Sequence, residues 1–520
     1  MKKFYTFILA VLLVVSLAGC GDTASNIEVV SASDDEITEM QTALDEIDGL
    51  YIGLLNDTTL TNSTNIEIKD NVITIKSGGE YTITGSLDDG QIVVDTGDAV
   101  TLNLQDVTIH NEDGPAIYIE DADGGTTINL VAGTVNTLSD GNTHSDEETT
   151  AVIYSKDTLY LDGSGTLIVN ANANDGIVSK DSFTIYDGTY VITSQGDAVY
   201  GKDDLTIEGG DFTVVTYGGS AEAPVIEESS GRNSFFNNED DEGVEGSQKA
   251  LKSEGTLTIN GGTFNLDAYD DAIHSDTEVI VNGGDITLSS GDDGIHSDEL
   301  LTVNGGTLTI EYAAEGLESF SVVINDGTID INAYDDGINA TNGTNTSVGG
   351  AADHPDYSEY DLDTDPSIII NDGTLNVVSG GDGIDANGVV LINGGYITVN
   401  GKGTSSGMIE SPIDFDITGI ISGGTVLATG TPTMAYEFDD EDSTQVSFVA
   451  TFGYSYSAGS TIQILDSGNN TLVDTTTSNA FQTIIFSCDE LEQGDTYTLV
   501  IDGDEYTLTL SSTSLVTIAS

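Results

Sequence analysis

The sequence predicts an all-β solenoid of stacked parallel strands, and three observations support this fold class. A phrase of acidic residues, glycine or alanine and one large aliphatic residue recurs at 270–275, 292–297, 314–319 and 335–340, so that the aliphatic residue returns after 22, 22 and 21 residues. A second phrase, Asn-Gly-Gly or Asn-Asp-Gly, lies between the copies, and strand-forming residues fill the intervals. A period of about 22 residues, with strands between glycine and aspartate corners, is typical of a solenoid in which each repeat forms one coil.

The composition agrees with this class and excludes several functions. The 520 residues contain no long helical pattern, and with only two cysteines, Cys20 and Cys488, an intrachain disulfide framework is not expected. The formal charge of −78 argues against nucleic acid or an anionic lipid surface as a partner. Because so many carboxylates repel one another, we expect bound cations to relieve the repulsion. We also expect the protein to be a monomer.

The N-terminus predicts export and anchoring. Lys2 and Lys3 precede an apolar run over 7–17 that is too short to be a good membrane span, so residues 1–19 are predicted to be a signal peptide. The Leu-Ala-Gly-Cys that ends at Cys20 resembles the lipobox of bacterial lipoproteins and implies that Cys20 is lipidated; the alternative is a plain signal peptide. We therefore expect an extracytoplasmic protein whose only attachment to the bacterial membrane is this lipid anchor. Residues 20–65 are predicted to be an acidic tether with a short helix around 36–46.

The repeats define the next domain. Strand patterns run from Ile66 to Gly430, and two polar insertions, at 219–245 and 343–365, interrupt them. Stacked coils pair strand to strand about 4.8 Å apart, so equivalent residues form ladders along the outside. The asparagines of the corner phrase are predicted to bond one another as one such ladder; they are Asn260, Asn282, Asn304, Asn325, Asn371 and Asn393.

The period is lost after Thr431. Alternating strand patterns over 431–520 predict a small antiparallel β-sandwich, which would cap the open end of the solenoid and protect its strand edges. Cys488 is expected to be a small buried apolar residue there. A second binding module is the alternative for this domain.

Alignment of the copies places acidic residues in one column, where neighbouring rungs bring several carboxylates near one cation. Calcium takes six to eight oxygens and tolerates irregular geometry, whereas zinc would need histidine and cysteine at tetrahedral spacing. The alternative is that the aspartates only cap turns, although doubled aspartates on neighbouring coils repel and a turn needs one. We predict several Ca²⁺ ions, with these candidate ligands: Asp270, Asp271, Asp292, Asp293, Glu315, Asp335, Asp336 and Asp382.

The scarce basic residues suggest where a sugar binds. Lys156, Lys180, Lys202, Lys249 and Lys252 share one predicted flank, where they either pair with neighbouring aspartates or, with calcium, meet the carboxylates of acidic sugars. Tyrosines of the repeat would offer stacking platforms for neutral sugars, with packing at the core edge as the alternative. The candidate carbohydrate-binding residues are Lys249, Lys252, His274, His296, Tyr269 and Tyr334.

These phrases, together with Lys-Ala-Leu-Lys-Ser at 249–253 and the corner phrase between them, resemble a calcium-binding, carbohydrate-binding β-helix family of bacterial surface proteins. The resemblance covers about 66–430. It implies a right-handed parallel β-helix similar to the family 9 pectate lyases, several calcium ions, and binding to pectic or cellulosic polysaccharide, with an acidic plant-type polymer expected. This chain departs from the pattern at Ala272 and at Ala250-Leu251, and neither change touches a proposed ligand.

Three functions compete at this point. The first is polysaccharide binding at the cell surface without catalysis, which the resemblance favours. The second is a calcium-dependent pectate lyase, in which calcium acidifies the proton beside the uronate carboxylate and Lys249 or Lys252 removes it. The acidic neighbours of these lysines and the lack of arginine in the repeats argue against it. The third is a structural surface spacer or adhesin. We expect binding without catalysis.

Overall fold

The computed structural model describes residues 33–56, 58–223, 246–342, 360–402, 410–510 and 515–518. The predicted signal peptide, Cys20 and most of both insertions lie outside these ranges. The chain divides into two compact units, of which the first runs to Gly218 and includes 227–255, and the second includes 219–226 and everything from Thr256. No helix within the described ranges is both long and apolar enough to span a membrane.

The first unit begins with the predicted short helix, α1 (Asp34–Leu44). Ser33 caps it because its hydroxyl accepts the Glu36 N–H while the Glu36 carboxylate accepts the Ser33 N–H at 2.8 Å, which together form a capping box. Met40 and Leu44 of the helix pack with Leu60. In the described part of the segment predicted as a tether, the structure therefore contains a helix with a buried face, followed by two strands.

Twenty strands complete the first unit. They are β1 (Leu50–Leu55), β2 (Thr58–Thr61), β3 (Ile66–Lys69), β4 (Val72–Ile75), β5 (Gly79–Leu87), β6 (Gln91–Asp95), β7 (Val100–Asn111), β8 (Ile117–Asp121), β9 (Thr126–Leu130), β10 (Val135–Asp140), β11 (Ala151–Ser155), β12 (Leu159–Asp162), β13 (Thr166–Ala171), β14 (Asp175–Ser179), β15 (Phe183–Ile185), β16 (Thr189–Ser194), β17 (Val199–Gly201), β18 (Leu205–Ile207), β19 (Asp211–Thr216) and β20 (Leu251–Ser253).

Parallel pairing in this unit follows the predicted period. Each repeat contributes three strands, and each strand pairs with its equivalent in the next repeat: β11 with β14, β12 with β15 and β13 with β16. Ile153, Ile177, Val199 and Leu251 stand in register and are fully buried, as the aliphatic residue of the phrase requires. The parallel order begins before Ile66, because β1 pairs in parallel with β5.

The second unit contains a short 3₁₀ helix, Ser220–Glu222, and the remaining strands. These are β21 (Leu257–Ile259), β22 (Thr263–Ala268), β23 (Ile273–Ser275), β24 (Glu278–Val281), β25 (Asp285–Ser290), β26 (Ile295–Val303), β27 (Thr307–Ala313), β28 (Leu317–Ile324), β29 (Thr328–Ala333), β30 (Ile338–Ala340), β31 (Ser367–Ile370), β32 (Thr374–Ser379), β33 (Ile384–Ala386), β34 (Val389–Ile392), β35 (Tyr396–Asn400), β36 (Ile413–Phe415), β37 (Thr418–Ile421), β38 (Thr425–Gly430), β39 (Ser447–Tyr456), β40 (Thr461–Leu465), β41 (Thr471–Thr476), β42 (Phe481–Ser487), β43 (Thr496–Ile501), β44 (Asp504–Thr509) and β45 (Leu515–Ile518).

Up to β38 the second unit also consists of three parallel ladders. We call the ladder that carries the repeated phrase the first ladder; it contains β23, β26, β28, β30, β33 and β36. The third ladder contains β22, β25, β27, β29, β32, β35 and β38, and the second lies between them along the chain. Ile273, Ile295, Leu317, Ile338 and Ile384 are in register, so the sequence alignment of the copies is confirmed. The large set of parallel strands is compatible with a β-helix or other solenoid.

The last repeat differs from the expectation. The letters Ile-Glu-Ser at 409–411 predict a further copy of the phrase, but the strand that aligns with Ile384 begins at Ile413. Residue 409 lies outside the described ranges, and Glu410 and Ser411 precede the strand. The copy is hard to recognise in the sequence because Pro412 replaces the glycine of the phrase and the spacing from Ile384 is 29 residues.

The predicted asparagine ladder is present. Each side-chain amide donates to the amide oxygen of the asparagine one repeat earlier, at 2.7 to 2.9 Å, over five consecutive bonds from Asn282 to Asn393. The following glycines, among them Gly327 and Gly373, have φ of +124° and +102°, a conformation that other residues rarely adopt. The corner phrase is therefore required both for the turn and for the ladder.

Pairing in the C-terminal region is antiparallel, except that β39 and β45 pair in parallel. Strands β38 and β39 both pair with β42, while β40, β41, β43 and β44 form a separate four-stranded sheet. One buried cluster contains Phe448 and Phe486 from the first group and Ile462 and Leu499 from the four-stranded sheet. Cys488 is 1% exposed in the same cluster, as expected, and burial raises the pKa of its thiol to about 12.

Candidate carbohydrate-binding and metal site

The candidate site lies on the first ladder of the second unit. Side chains alternate along each strand, so Ile273 and Ser275 are buried while His274 points outward. The strand register stacks the residues equivalent to His274 in one column, which we call the outward column although its last three members are buried: His274, His296, Glu318, Asn339, Asp385 and Asp414. Two residues before each buried aliphatic residue comes a second acidic column, Asp271, Asp293, Glu315, Asp336 and Asp382. We call these two columns, with the residues that immediately precede the second column, the acidic face.

The aspartates of the second column bind backbone of the next repeat. One oxygen of Asp271 accepts the N–H of Asp293 at 3.1 Å, and one oxygen of Asp336 accepts the N–H of Asp382 at 2.7 Å. Asp382 in turn accepts the N–H of Ser411. These hydrogen bonds are a form of the turn capping considered for the aspartates, but they also join one repeat to the next. Each bond uses only one oxygen of its carboxylate. The second oxygen can meet other partners.

For two of these aspartates, the second oxygen faces a histidine. Nδ1 of His274 lies 2.8 Å from Asp271 and Nδ1 of His296 lies 2.9 Å from Asp293. Their Nε2 atoms lie 3.0 and 3.2 Å from Asp276 and Asp298 respectively. The two rings stack with centroids 5.0 Å apart and planes 14° apart. Both histidines predicted to bind sugar are thus held between carboxylates.

Two groups on this face bring together ligands that suit a metal ion. In the first, one oxygen each of Asp270, Asp271 and Asp292 lies within 4.8 Å of the other two. The second group, within the same distance, joins Asp293 to His296 and Glu318. The first group consists entirely of predicted ligands, whereas the second recruits a histidine assigned to sugar binding and a glutamate from the outward column.

Two further groups share Asp382 and are more deeply buried. Asp336, Asp382 and Glu410 form one, and Asp382, Asp385 and Asp414 form the other. All five side chains are less than 9% exposed. Glu410, Asp385 and Asp414 were not among the predicted ligands. Asp385 stands in the outward column and was recognisable there, whereas Glu410 and Asp414 belong to the copy that the repeat pattern hides.

The remaining predicted ligands are placed differently. Glu315 accepts a hydrogen bond from the Asn339 amide at 2.6 Å, and neither Glu315 nor Asp335 joins one of the four groups found among the described residues. Tyr269 and Tyr334, predicted as sugar platforms, are half-buried. Their carbonyl oxygens pass so close to Gly291 and Gly380 that a Cβ there would lie about 2.0 and 1.9 Å away. The main chain of each tyrosine therefore lies close against a glycine of the next repeat.

Burial changes the acidity of this site. Burial, with the neighbouring charge of Asp336 as a smaller cause, raises the pKa of Asp382 well above its usual range. Burial and then the charge of Asp385 raise the pKa of Asp414 to about 8. The carboxylates therefore resist ionising together, and a bound cation would favour their charged forms.

Asn339 provides an independent test of whether a cation fits. Its side chain is 2% exposed and its amide nitrogen donates to Glu315, which fixes the orientation of the amide. Its Oδ1 atom is buried without a hydrogen-bond partner. The strand register places it between Glu318 and Asp385 in the outward column. A buried carbonyl oxygen that lacks a donor and lies among carboxylates fits a hard cation such as Ca²⁺.

The predicted lysines belong to the first unit and have local partners. Nζ of Lys252 lies 3.0 Å from Asp197, 3.1 Å from the Ser247 hydroxyl and 5.2 Å from the centre of the Tyr200 ring. The backbone N–H of Lys249 donates to the same aspartate at 2.9 Å. Lys252 therefore pairs with a neighbouring aspartate, which is the alternative to sugar binding considered for these lysines.

A basic residue that the repeat pattern did not single out lies in the second unit. Lys402 follows β35, and its Nζ is 4.0 Å from the Glu410 carboxylate, with both side chains less than a fifth exposed. Its backbone N–H donates to Gly381, next to Asp382. Lys402 therefore lies beside the group formed by Asp336, Asp382 and Glu410.

Comparison with known proteins identifies a carbohydrate-binding family. A family model described as "Carbohydrate-binding domain-containing protein" matches residues 69–223, 205–294 and 291–450. A protein of Acetivibrio thermocellus with the same description is 33% identical over 146 residues, which cover 26% of this chain and 51% of that protein, so the match spans about half of its length. A solved structure described as a polysaccharide lyase-like protein from C. thermocellum, in a gadolinium derivative, is 27% identical with a TM-score of 0.42, and covers 49% of this chain and 96% of that one.

Proposed function

Since this chain belongs to the family of carbohydrate-binding domain-containing proteins, we propose that it binds an acidic polysaccharide through calcium ions held on its acidic face, without cleaving the polymer. The observation that carries the proposal is the arrangement of four potential ion-holding groups along one ladder of stacked strands. Among their carboxylates, Asp271, Asp336 and Asp382 each accept a backbone N–H of the next repeat through one oxygen. Such an arrangement would hold several ions in a row. A row of ions matches a polymer whose carboxylates repeat along its chain.

The net charge explains why calcium is needed. A protein with a formal charge of −78 repels a polyanion such as polygalacturonate. Bound Ca²⁺ supplies coordination positions that protein carboxylates and uronate carboxylates can share. The groups that would hold it are the carboxylates of the four groups, together with the Asn339 carbonyl oxygen.

The same proposal includes the closed form of the fold, the oligomeric state and the location of the protein. The parallel ladders form a right-handed β-helix, and the C-terminal strands form a sandwich that caps it. The chain acts as a monomer outside the cell, attached to the bacterial membrane through a lipidated Cys20. These statements rest on the repeat pattern, the lipobox-like phrase and the strand pairing reported above.

Binding with and without calcium tests the proposal. The full mature chain should be retarded in a native gel that contains polygalacturonate and calcium, and chelator should abolish the retardation. Moderate salt should leave it in place, because inner-sphere ligation is screened less than exposed ion pairs. Retardation that persists in chelator and disappears in salt would instead favour direct binding by lysines.

One observation favours lyase activity as a second candidate function. Lys402 lies beside the group of Asp336, Asp382 and Glu410, so an ion held there would have a basic side chain nearby. In β-elimination, a neutral amine takes the proton next to the uronate carboxylate, a C=C bond forms, and the glycosidic oxygen leaves with the electron pair of the broken C–O bond. Lys402 is a better candidate for this base than Lys252, because the carboxylate near Lys402, Glu410, belongs to an ion-holding group, whereas Lys252 contacts Asp197, which belongs to none of the four groups.

A further inference from the structure

An ion pair of the first unit holds an amine against a carboxyl group with little access to water. Nζ of Lys252 lies 3.0 Å from Oδ2 of Asp197, and the two side chains are 19% and 5% exposed. Lys252 belongs to β20, and Asp197 lies just before β17, the strand that pairs with β20. The contact therefore joins two neighbouring repeats. It also spans the first insertion, because the two residues are 55 positions apart in the chain.

The other oxygen of the Asp197 carboxylate, Oδ1, faces two donors. The Ser247 hydroxyl donates to it at 2.6 Å, and the backbone N–H of Lys249 donates to it at 2.9 Å. A hydroxyl and an N–H that converge on one oxygen at such distances form the kind of oxyanion hole that acyl-transfer enzymes use. The two donors would therefore stabilise the negative charge that develops on Oδ1 when a nucleophile attacks the carboxyl carbon, Cγ.

Neighbouring residues fix the amine and the carboxyl group in contact. The Ser247 hydroxyl oxygen lies 3.1 Å from Nζ of Lys252, so one hydroxyl bridges the amine and the carboxylate. Asp175, in the preceding repeat, holds the backbone of Asp197, because its Oδ1 accepts the Asp197 N–H at 3.0 Å. When the protein holds two groups in place in this way, it supplies much of the rate of an intramolecular reaction between them.

Burial distinguishes this pair from another ion pair of the same unit. Lys76 also contacts an aspartate, Asp95, but their side chains are 38% and 34% exposed. Water solvates both charges of an exposed pair. A carboxylate and an ammonium that are taken out of water lose that solvation, and their conversion into one neutral amide removes the cost of burying two charges. Burial therefore favours condensation of Lys252 with Asp197 and not of Lys76 with Asp95.

We propose that Lys252 and Asp197 condense to form an amide bond between their side chains, which covalently joins two repeats across the first insertion. The ammonium first gives a proton to Oδ2, and the neutral Nζ then attacks Cγ while the electron pair of the C=O bond moves to Oδ1. The C–Oδ2 bond breaks, Oδ2 leaves as water with a second proton from Nζ, and the C=O bond to Oδ1 forms again.

The reaction needs no partner from outside the protein. One ammonium and one carboxylate become one amide and one water, so no oxidant, metal or second substrate takes part. The bond is a modification of the chain that goes beyond the proposed function of the acidic face. It closes a loop that contains the first insertion, and such a closure stabilises a fold by restricting the unfolded chain, as a disulfide does.

Mass spectrometry of the denatured full mature chain tests the proposal. Lys252→Arg keeps the positive charge, but its guanidinium group stays protonated and should not attack the carboxyl group. After correction for the substituted side chain, the wild type should be lighter than this variant by one water. Digestion of the wild type should yield two peptides joined through Asp197 and Lys252. Lys76→Arg, which changes the exposed pair, should have lost one water as the wild type has.

The oxyanion hole predicts a rate. Ser247→Ala removes one of the two donors to Oδ1 and should slow formation of the bond about a hundredfold. Mass spectrometry at intervals after cell-free synthesis of the chain measures this rate, and equal rates in the variant and the wild type would contradict the mechanism.

Two results would overturn the proposal as a whole. One is a wild type that still has its full mass after prolonged incubation at neutral pH. The other is a loss of water that persists in Lys252→Arg, because the water would then come from other residues. None of these measurements involves calcium or a polysaccharide, so this proposal and that for the acidic face can each fail without the other.

Discussion

The carboxylate of Asp336 accepts the backbone N–H of Asp382 at 2.7 Å, although 46 residues separate them. Asp271 makes the same bond to Asp293 over 22 residues. The insertion between β30 and β31 therefore leaves the contact between successive repeats unchanged. Because the bond uses only one carboxylate oxygen, the same residue can stabilise the stack and contribute to an ion site.

Removal of calcium should destabilise the protein. An ion held only by the folded acidic face stabilises it by mass action, so chelator at low salt should lower the melting temperature. Asp293→Ala should reduce the number of ions counted by calorimetry, whereas Glu441→Ala, at an exposed position outside the four groups, should not. An unchanged melting temperature in chelator would contradict the calcium proposal.

Asp382 and Asp385 should differ in their effect on ion binding. Asp382 belongs to two of the four groups and Asp385 to one, so Asp382→Asn should remove more calcium than Asp385→Asn. The asparagine keeps a side-chain oxygen that can accept the Ser411 N–H, which limits the structural change. Calorimetric stoichiometry measures the difference, and equal losses in the two variants would show that the groups do not act as separate sites.

Asp175 should make stability depend on pH. Burial, and then the charge of Asp197, raise its pKa from 3.8 to about 7. The folded state then holds a proton that the unfolded state releases above pH 4, so the free energy of unfolding falls as pH rises from about 4 through 7, by up to about 4 kcal/mol. Asp175→Asn cannot ionise and should flatten this part of the profile.

The measurement is the melting temperature between pH 4 and 8 in chelator. Asp162→Asn, at an exposed position of the same unit, serves as the control and should follow the wild type. If the melting temperature of Asp175→Asn falls with rising pH as steeply as that of the wild type, other groups cause the pH dependence of stability.

Lys402 distinguishes binding from cleavage. We expect no unsaturated product when pure protein is mixed with polygalacturonate and calcium, and the ultraviolet absorbance should stay constant. A steady rise that disappears in Lys402→Ala and persists in Lys252→Ala would establish the lyase and overturn binding without catalysis. Lys252 is the matched control because its amine contacts Asp197, which belongs to none of the four ion-holding groups.

Cys20 should determine where the protein is found. If its lipidation is the only anchor, Cys20→Ala should move the protein from the membrane fraction to the soluble fraction. Fractionation after a salt wash, with detection of the protein by antibody, measures this. A variant that still sediments with membranes would show that another feature holds it there.

The regular repeats made much of this structure predictable from sequence. The copies at Ile273, Ile295 and Leu317 have nearly constant spacing, so alignment of their letters already gave the strand register and the column of Asp271, Asp293 and Asp336. The asparagine ladder followed for the same reason. When strands of similar sequence recur at a constant spacing and pair with one another, each repeat stacks on the next in the same register. Side chains at equivalent positions then become neighbours.

Tertiary structure decided what the period does not determine. Glu410, Asp414 and Lys402 lie after the regular spacing has been lost, and only the fold brings them to Asp382. Which oxygen of an aspartate binds the next repeat, and which faces a histidine or another carboxylate, depends on the rise between repeats and on side-chain rotamers. The unpartnered oxygen of Asn339 depends in addition on burial, because a carbonyl group lacks a partner only where the surrounding chain excludes water.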